Sequence, residues 1–393
     1  MLDQHRVRAD TPGCFGQAFL DSAGSSLPPT VVTETVIAHL RREAEVGGYR
    51  AAAERADDLA DVKVALAELL GARPGDLALV ESASRGWADF FYAVPLAAGE
   101  KILVSEVEYA SNAIAALQRA GATDAVVEVV PSTPAGEIDL DALARMLDER
   151  VRLVSLVHAP TNGGLLNPVR EVVELAHGVG ALVLLDACQS VGQVPVDVTT
   201  LGVDALSGTG RKWLRGPRGT GFLYVRPELA RTMEPAALDL HGAQLSGQKQ
   251  LGGYRLAEDA SRFEFWECSV AGRLGLGAAV RYLLGLGIEA VAASVAERAE
   301  FARACLAAVP GVTVRDLGAT RTGIVSFTVT GTEPAAVRES LAAKDITVTV
   351  SGRSSTQVDM SRRGLDAVVR ASPHYFNTLE DVQRLVDAVD AIR

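Results

Sequence analysis

Ala181-Leu182-Val183-Leu184-Leu185-Asp186 is a run of strand-forming residues that ends in a carboxylate. An acid at the end of a buried strand must find a donor, a cation or a ligand, because burying it alone is costly. Working outward, residues 153–157 form a compact apolar run that reads as a second buried strand. Pro168 then opens a helical segment carrying Val172, Val173 and Leu175, which closes at Gly178-Val179-Gly180. Strand, helix and strand over this length predict a right-handed parallel crossover. Ligand sites of such sheets lie beyond the carboxyl ends of the strands, where Asp186 stands.

The pattern extends in both directions. Leu59, Val62, Leu66 and Leu69 recur at spacings of three and four before Gly71, a helix with its stop. Strand-like runs at 78–81, 101–104 and 125–130 alternate with helical segments and predict a large α/β domain with a mostly parallel sheet. Beyond about residue 275 the pattern changes. A long helical tract at 285–309 leads into strand segments at 312–315, 323–330 and 347–350. Thr378, with Asp381 three positions on, predicts the N-cap of a last helix with Val382, Leu385, Val386 and Val389 on one face. The expected division is an N-terminal segment (1–28) lining the active site, a large domain (29–275) and a smaller α+β domain (276–393).

Composition narrows the function. The formal charge is −11, and basic residues nowhere gather with aromatics, which argues against nucleic acid. No apolar run approaches the roughly 20 residues of a membrane span, and the first residues lack the pattern of a secretory signal. Cys14, Cys188, Cys268 and Cys305 are widely spaced with no CxxC, so neither a metal site nor a disulfide framework is indicated. The expectation is a cytoplasmic protein.

Chemistry enters with Lys212, one of five lysines, in Ser207-Gly208-Thr209-Gly210-Arg211-Lys212-Trp213. The two glycines hint at a nucleotide loop, but that motif needs Ser or Thr after the lysine, and Trp213 stands there. An acid ending one strand and a lysine after the next suit pyridoxal 5′-phosphate. The amine condenses with the aldehyde, the acid keeps the ring nitrogen protonated, and the small and basic neighbours hold the phosphate. A carboxylate about 4 Å from the ring nitrogen gains about 4 kcal/mol at an effective dielectric near 20, roughly three pKa units. Arg211 lowers the lysine pKa by repulsion. Taken singly, Asp186 reads as a turn-capping acid and Lys212 as a surface lysine. Their pairing is what favours the cofactor.

Several segments resemble the class V aminotransferase-like branch of fold-type I pyridoxal-phosphate enzymes. They are Phe19-Leu20-Asp21-Ser22-Ala23-Gly24-Ser25, Glu81-Ser82-Ala83-Ser84-Arg85-Gly86, Ser105-Glu106-Val107-Glu108-Tyr109, Asp186-Ala187-Cys188-Gln189-Ser190, and Val369-Arg370-Ala371-Ser372 with Asn377. The resemblance implies that fold: a large domain with a mostly parallel seven-stranded sheet and a smaller α+β C-terminal domain, in a homodimer with shared active sites. It implies Lys212 as the lysine that binds the cofactor and shuttles protons, Asp186 at the ring nitrogen, and Gln189 with Thr161 or Asn162 at the phenolic oxygen. Ala83, Ser84, Thr209 and Arg211 would hold the phosphate, with Ser269 from the second subunit, and Tyr109 would stack on the ring. Arg370 would grip the α-carboxylate of an amino-acid substrate, and Ala23, Gly24, Tyr49, Arg353 and the stretch 241–250 would shape its pocket.

Cysteine desulfurases of this branch carry a catalytic cysteine shortly before that arginine. Here Ser351-Gly352-Arg353-Ser354-Ser355-Thr356 has none, and Tyr109 replaces their stacking histidine. That argues against persulfide formation and leaves β-elimination, transamination or epimerisation. The segments 42–54 and 211–219 resemble hercynylcysteine sulfoxide lyases, and isopenicillin N epimerase-like proteins share many of these features. The reading is a carbon–sulfur lyase acting on an S-substituted cysteine, with aminotransferase or epimerase as alternatives. A catalytically silent scaffold is the reading from another class; such proteins lose the lysine, the acid or the arginine, and all three stand here.

Overall fold

The computed structural model describes residues 2–247 and 251–392. In chain order the strands are β1 (Ala18–Phe19), β2 (Leu77–Val80), β3 (Lys101–Ser105), β4 (Val126–Val130), β5 (Val151–Val157), β6 (Leu182–Asp186), β7 (Ala205–Thr209) and β8 (Gly221–Val225). They are followed by β9 (Ala243–Leu245), β10 (Tyr254–Leu256), β11 (Val312–Val314), β12 (Val325–Val329), β13 (Ile346–Thr347), β14 (Thr349–Gly352) and β15 (Ala367–Ala371). Seven of them make one sheet in the order β2-β8-β7-β6-β5-β3-β4. Every pairing in it is parallel except those of β8, which runs against both β2 and β7. The sheet is therefore mostly parallel, as the alternating pattern predicts.

Register decides what meets at its edge. Val157 pairs with Asp186, Asp186 with Ser207, Thr209 with Gly221, and Val80 with Gly221. Four strands thus deliver their carboxyl ends, and reversed β8 its beginning, to one rim. Apolar runs such as Val183, Leu184 and Leu185 are buried on both faces, so the strands read as continuous rather than alternating.

The helical tract expected at 285–309 is the helix Ile288–Ala308, and a second helix, Val270–Leu286, precedes it across a bend at Gly287. Four glycines in the earlier helix weaken its sequence signal, since each costs about 1 kcal/mol against Ala. Packing explains two of them. A side chain at Gly275 would meet Val36 and Pro217, and one at Gly277 would meet Val62, so this helix lies unusually close to its neighbours. Together the two helices are apolar enough for a membrane span, but they bend by 84°, and no single helix among the described residues qualifies. The boundary expected at 275/276 falls inside Val270–Leu286. Val291 and Val295 still belong to the core of the large sheet, whereas Ala299, Ala302 and Leu306 belong to that of the small one. We therefore place the division within the helix Ile288–Ala308.

The small sheet, β11-β12-β15-β14, is antiparallel throughout. The N-terminal segment packs beside it, because β1 and β13 form a separate two-stranded parallel sheet and Asp21 bridges to Ser372 just past β15. The last helix, Leu379–Asp390, has the expected capping box, with Thr378 accepting from the Asp381 backbone and Asp381 from that of Thr378. Its Val382, Leu385 and Val389 are fully buried. Thr378→Ala should therefore cost about 1 kcal/mol of stability, read as a lower urea midpoint with an unchanged slope.

Candidate active site

The rim of the large sheet opens into a cavity of about 100 Å³. Its walls include Ala83 and Ser84, Tyr109, Thr161, Asp186 and Gln189, Thr209, Arg211 and Lys212. These residues lie far apart in sequence and meet because parallel strands end together. Ser82 caps the helix Ala83–Ala93 by accepting from the Arg85 backbone, so the first turn of that helix faces the cavity. Free N–H groups in a first helical turn suit an anion. Thr209 and Arg211 supply a hydroxyl and a cation in the same cavity.

Asp186 is almost wholly buried, yet both carboxylate oxygens are held. Oδ1 accepts from the Cys188 backbone N–H at 2.9 Å and Oδ2 from Asn112 Nδ2 at 3.1 Å. Lys212 is held below the usual lysine range by burial, while Cys188 and Asp186 pull the other way and Arg211 adds a smaller downward push. The repulsion from Arg211 anticipated in the sequence is thus real but secondary to desolvation. A neutral amine at rest is what a nucleophilic lysine needs.

Gln189 Nε2 donates to the Ala23 carbonyl (3.0 Å) and to Thr161 Oγ1 (3.3 Å), and its Oε1 accepts from Trp213 Nε1 at 2.9 Å. The indole after the lysine therefore fixes this amide. Arg370 stands behind Thr161, donating to its Oγ1 (2.8 Å) and carbonyl (3.2 Å) and to Asp21 Oδ1 (3.0 Å). Its Nε is buried with no hydrogen-bond partner among the described residues. Ala23 and Gly24 are backing rather than wall: the Gly24 carbonyl accepts from Arg211, and Ala23 N donates to Ser372 Oγ.

Four expected site residues lie elsewhere. Asn162 turns away from the cavity, donating to Thr356 Oγ1 (2.8 Å) and the Gly352 carbonyl and bonding Ser351, so Thr161 is the neighbour of Gln189. Tyr49 is 80% exposed with its ring edge against Trp266. Arg353 pairs with Asp366. Ser269 caps the helix Val270–Leu286 and lines a separate small pocket in its own chain. Of the stretch 241–250, residues 248–250, including Lys249, lie outside the described residues.

The cavity also includes Trp87, Asn112 and Ala159, outside the quoted motifs, and two residues within them: Ser207, and Cys188, whose sequence reading is core packing but which stands in the cavity wall. Trp87 and Asn112 sit one and three positions past quoted motifs, on helices whose cavity-facing side cannot be read from spacing alone. Trp87 Nε1 and Ser207 Oγ are buried with no hydrogen-bond partner among the described residues. Unsatisfied groups of this kind in a cavity wall fit a polar ligand. Cys188 is the one described cysteine in the wall, and burial pushes its thiol well above the ordinary value, with Asp186 adding to the effect.

A hidden amine and a hidden acid in one cavity, with an anion cradle beside them, meet the needs of pyridoxal 5′-phosphate. They make this chain a fold-type I enzyme of that cofactor. The family model Aminotransferase class-V matches residues 18–385, and the chain belongs to that family. It is 31% identical to a cysteine desulfurase of Dickeya dadantii, over 98% of this chain and 96% of the relative. Against a probable cysteine desulfurase of Mycolicibacterium paratuberculosis the identity is 29% over 95% of this chain, which spans only 55% of that relative's length. Among solved structures, the apo cysteine desulfurase of Thermococcus onnurineus NA1 superposes with a TM-score of 0.90 at 25% identity, covering 100% of this chain and 98% of the other.

His158 follows β5, and its backbone N–H donates to the Asp186 carbonyl. Burial lowers its imidazole to about 4, so it folds neutral. Between the unfolded value near 6.5 and 4 the unfolded chain binds the extra proton, and stability falls as pH falls. The loss should reach about 3 kcal/mol across that window. His158→Asn should flatten this part of the pH–stability curve in urea titrations; an unchanged slope would remove His158 as its source.

Proposed function

We propose that the chain is a pyridoxal-phosphate-dependent carbon–sulfur lyase that eliminates the β-sulfur substituent of an S-substituted cysteine. The observation that carries this reading is chemical. The stretch 351–356 is β14 running into a short turn, with Ser351 and Thr356 bonded to Asn162 and no thiol within it. Cys188, in the cavity wall, has a raised thiol pKa and a backbone tied to Asp186. Relatives named cysteine desulfurases share the fold, but here the segment 351–356 carries no thiol to accept sulfur, and burial raises that of Cys188.

Bound in the cavity, the cofactor supplies an aldehyde for the substrate amine and an electron-withdrawing ring. The protein supplies the rest. Arg370, fixed by Asp21 and Thr161, presents the guanidinium for the substrate carboxylate, a planar task that lysine does poorly. Lys212 Nζ, its pKa lowered by burial, is the base for the Cα proton. Asp186 would keep the ring nitrogen charged, and Gln189, braced by Trp213 and Thr161, would face the phenolic oxygen. The Cβ–S bond then breaks, the sulfur leaves with its substituent and takes up the proton that Lys212 removed, and water converts the remaining three-carbon skeleton to pyruvate and ammonia.

A second copy of the chain is proposed to close the site, with Ser269 reaching the partner's phosphate cradle. Exposed apolar side chains at Leu240, Leu245 and Tyr254, which line one groove, and at Tyr49 and Trp266, whose rings touch, support a surface covered by a second copy. A cytoplasmic setting is supported by four free cysteines.

The test is incubation with a panel of cysteine conjugates and their sulfoxides. Pyruvate and ammonia in equal amounts, without an added keto acid, are expected. Keto acid with a pyridoxamine spectrum would mean transamination, and loss of enantiomeric purity would mean epimerisation. Lys212→Ala should lose both turnover and the cofactor's visible absorbance. Arg370→Ala should raise KM for amino acids at least tenfold while the cofactor still binds; an unchanged KM would exclude Arg370 from the substrate.

A further inference from the structure

Behind Asp186 lies a second buried carboxylate that the chemistry above does not use. Glu108 is 5% exposed and sits between β3 and the helix Ala110–Thr123. Its Oε1 accepts from Asn112 Nδ2 and from the Tyr109 backbone, both at 2.9 Å, and its Oε2 from Ser155 Oγ at 2.7 Å. None of these donors is charged. The same Asn112 amide nitrogen also donates to Asp186 Oδ2 at 3.1 Å. Asn112 therefore spends both of its amide protons on carboxylates, one on either side.

That arrangement has a geometric consequence. An Asn side chain can present either its oxygen or its nitrogen at the same place. With Glu108 as neighbour the oxygen is excluded by repulsion, so the nitrogen must face both acids. Asp186 then has a donor on each oxygen, from Asn112 and from Cys188 N. We propose that Glu108 is a positioning residue for this site, acting through Asn112 to hold the Asp186 carboxylate in place and adding its charge to the field at the cofactor ring. The inference rests on the reading of Asp186 as the ring-nitrogen partner. Burial, opposed by these hydrogen bonds and reinforced by Asp186, raises Glu108 to about 7, so its charge bears on the ring above that pH.

The experiment reconstitutes E108Q, E108A, N112A and the E108A/N112A double variant with cofactor. It follows the pH midpoint of the visible absorbance, the cofactor Kd, and kcat and KM separately. E108Q keeps acceptors for Asn112 but loses the charge. Its absorbance midpoint should fall by about half a pH unit, with kcat down several-fold and KM unchanged. E108A also frees the Asn112 amide to turn, and should lose about tenfold in kcat and in cofactor affinity. Once Asn112 is Ala, E108A should add less than half of that loss, the non-additivity expected of a relay. A wild-type midpoint, Kd and kcat in E108Q and E108A, or fully additive losses, would overturn the proposal. If E108A does not fold, the near-isosteric E108Q decides alone. Asp186→Asn serves as the control: a spectrum and Kd unchanged by it would refute the ring-nitrogen reading itself rather than the role of Glu108.

Discussion

Hiding the Asp186 carboxylate from water is the constraint around which this molecule is organised. An ion with so little exposure costs several kcal/mol unless protein donors replace its hydration. The donors come from the next residues of its own loop and from the helix after β3, which reaches it because β3 lies one strand beyond β5 in the sheet. The strand order thus brings a donor from the β3 side within reach of the acid. Lys212, arriving after β7, is desolvated in the same cavity.

The substrate side of the site belongs to the other core. Arg370 lies on β15 of the small sheet, yet its hydrogen bonds run to Thr161 of the large domain and Asp21 of the N-terminal segment. Asn162 adds a second tie, to residues 352 and 356. Three parts of the chain thus meet at one guanidinium. A shift of the small domain would move the Arg370 guanidinium relative to Lys212, the two groups proposed to hold the substrate and take its proton.

Sharing a fold with desulfurases does not fix the reaction, because function resides in side chains placed on the scaffold. The cofactor-facing edge is built to a common plan. The segment before Arg370 carries hydroxyls and an arginine and no thiol. Elimination needs the base and the electron sink but no sulfur acceptor, so the residues present suffice for it.

Strands, the last helix with its capping box, and the pairing of Asp186 with Lys212 were legible because they depend on local periodicity and on residues close in the chain. So was the motif at Glu81-Ser82-Ala83-Ser84, since a helix start is a local event. The glycine-rich helix Val270–Leu286 was not, because its glycines answer to Val36, Val62 and Pro217, distant in sequence. Nor could spacing show that Asn162 faces 351–356 while Thr161 faces Gln189, since adjacent residues in an irregular loop have no fixed period. The sequence by itself determined the elements and the chemical groups on offer. Only the tertiary structure decided which of those groups share one dry cavity and which, like Tyr49 and Arg353, remain outside it, because desolvation and hydrogen bonding act between residues brought together by packing rather than by order in the chain.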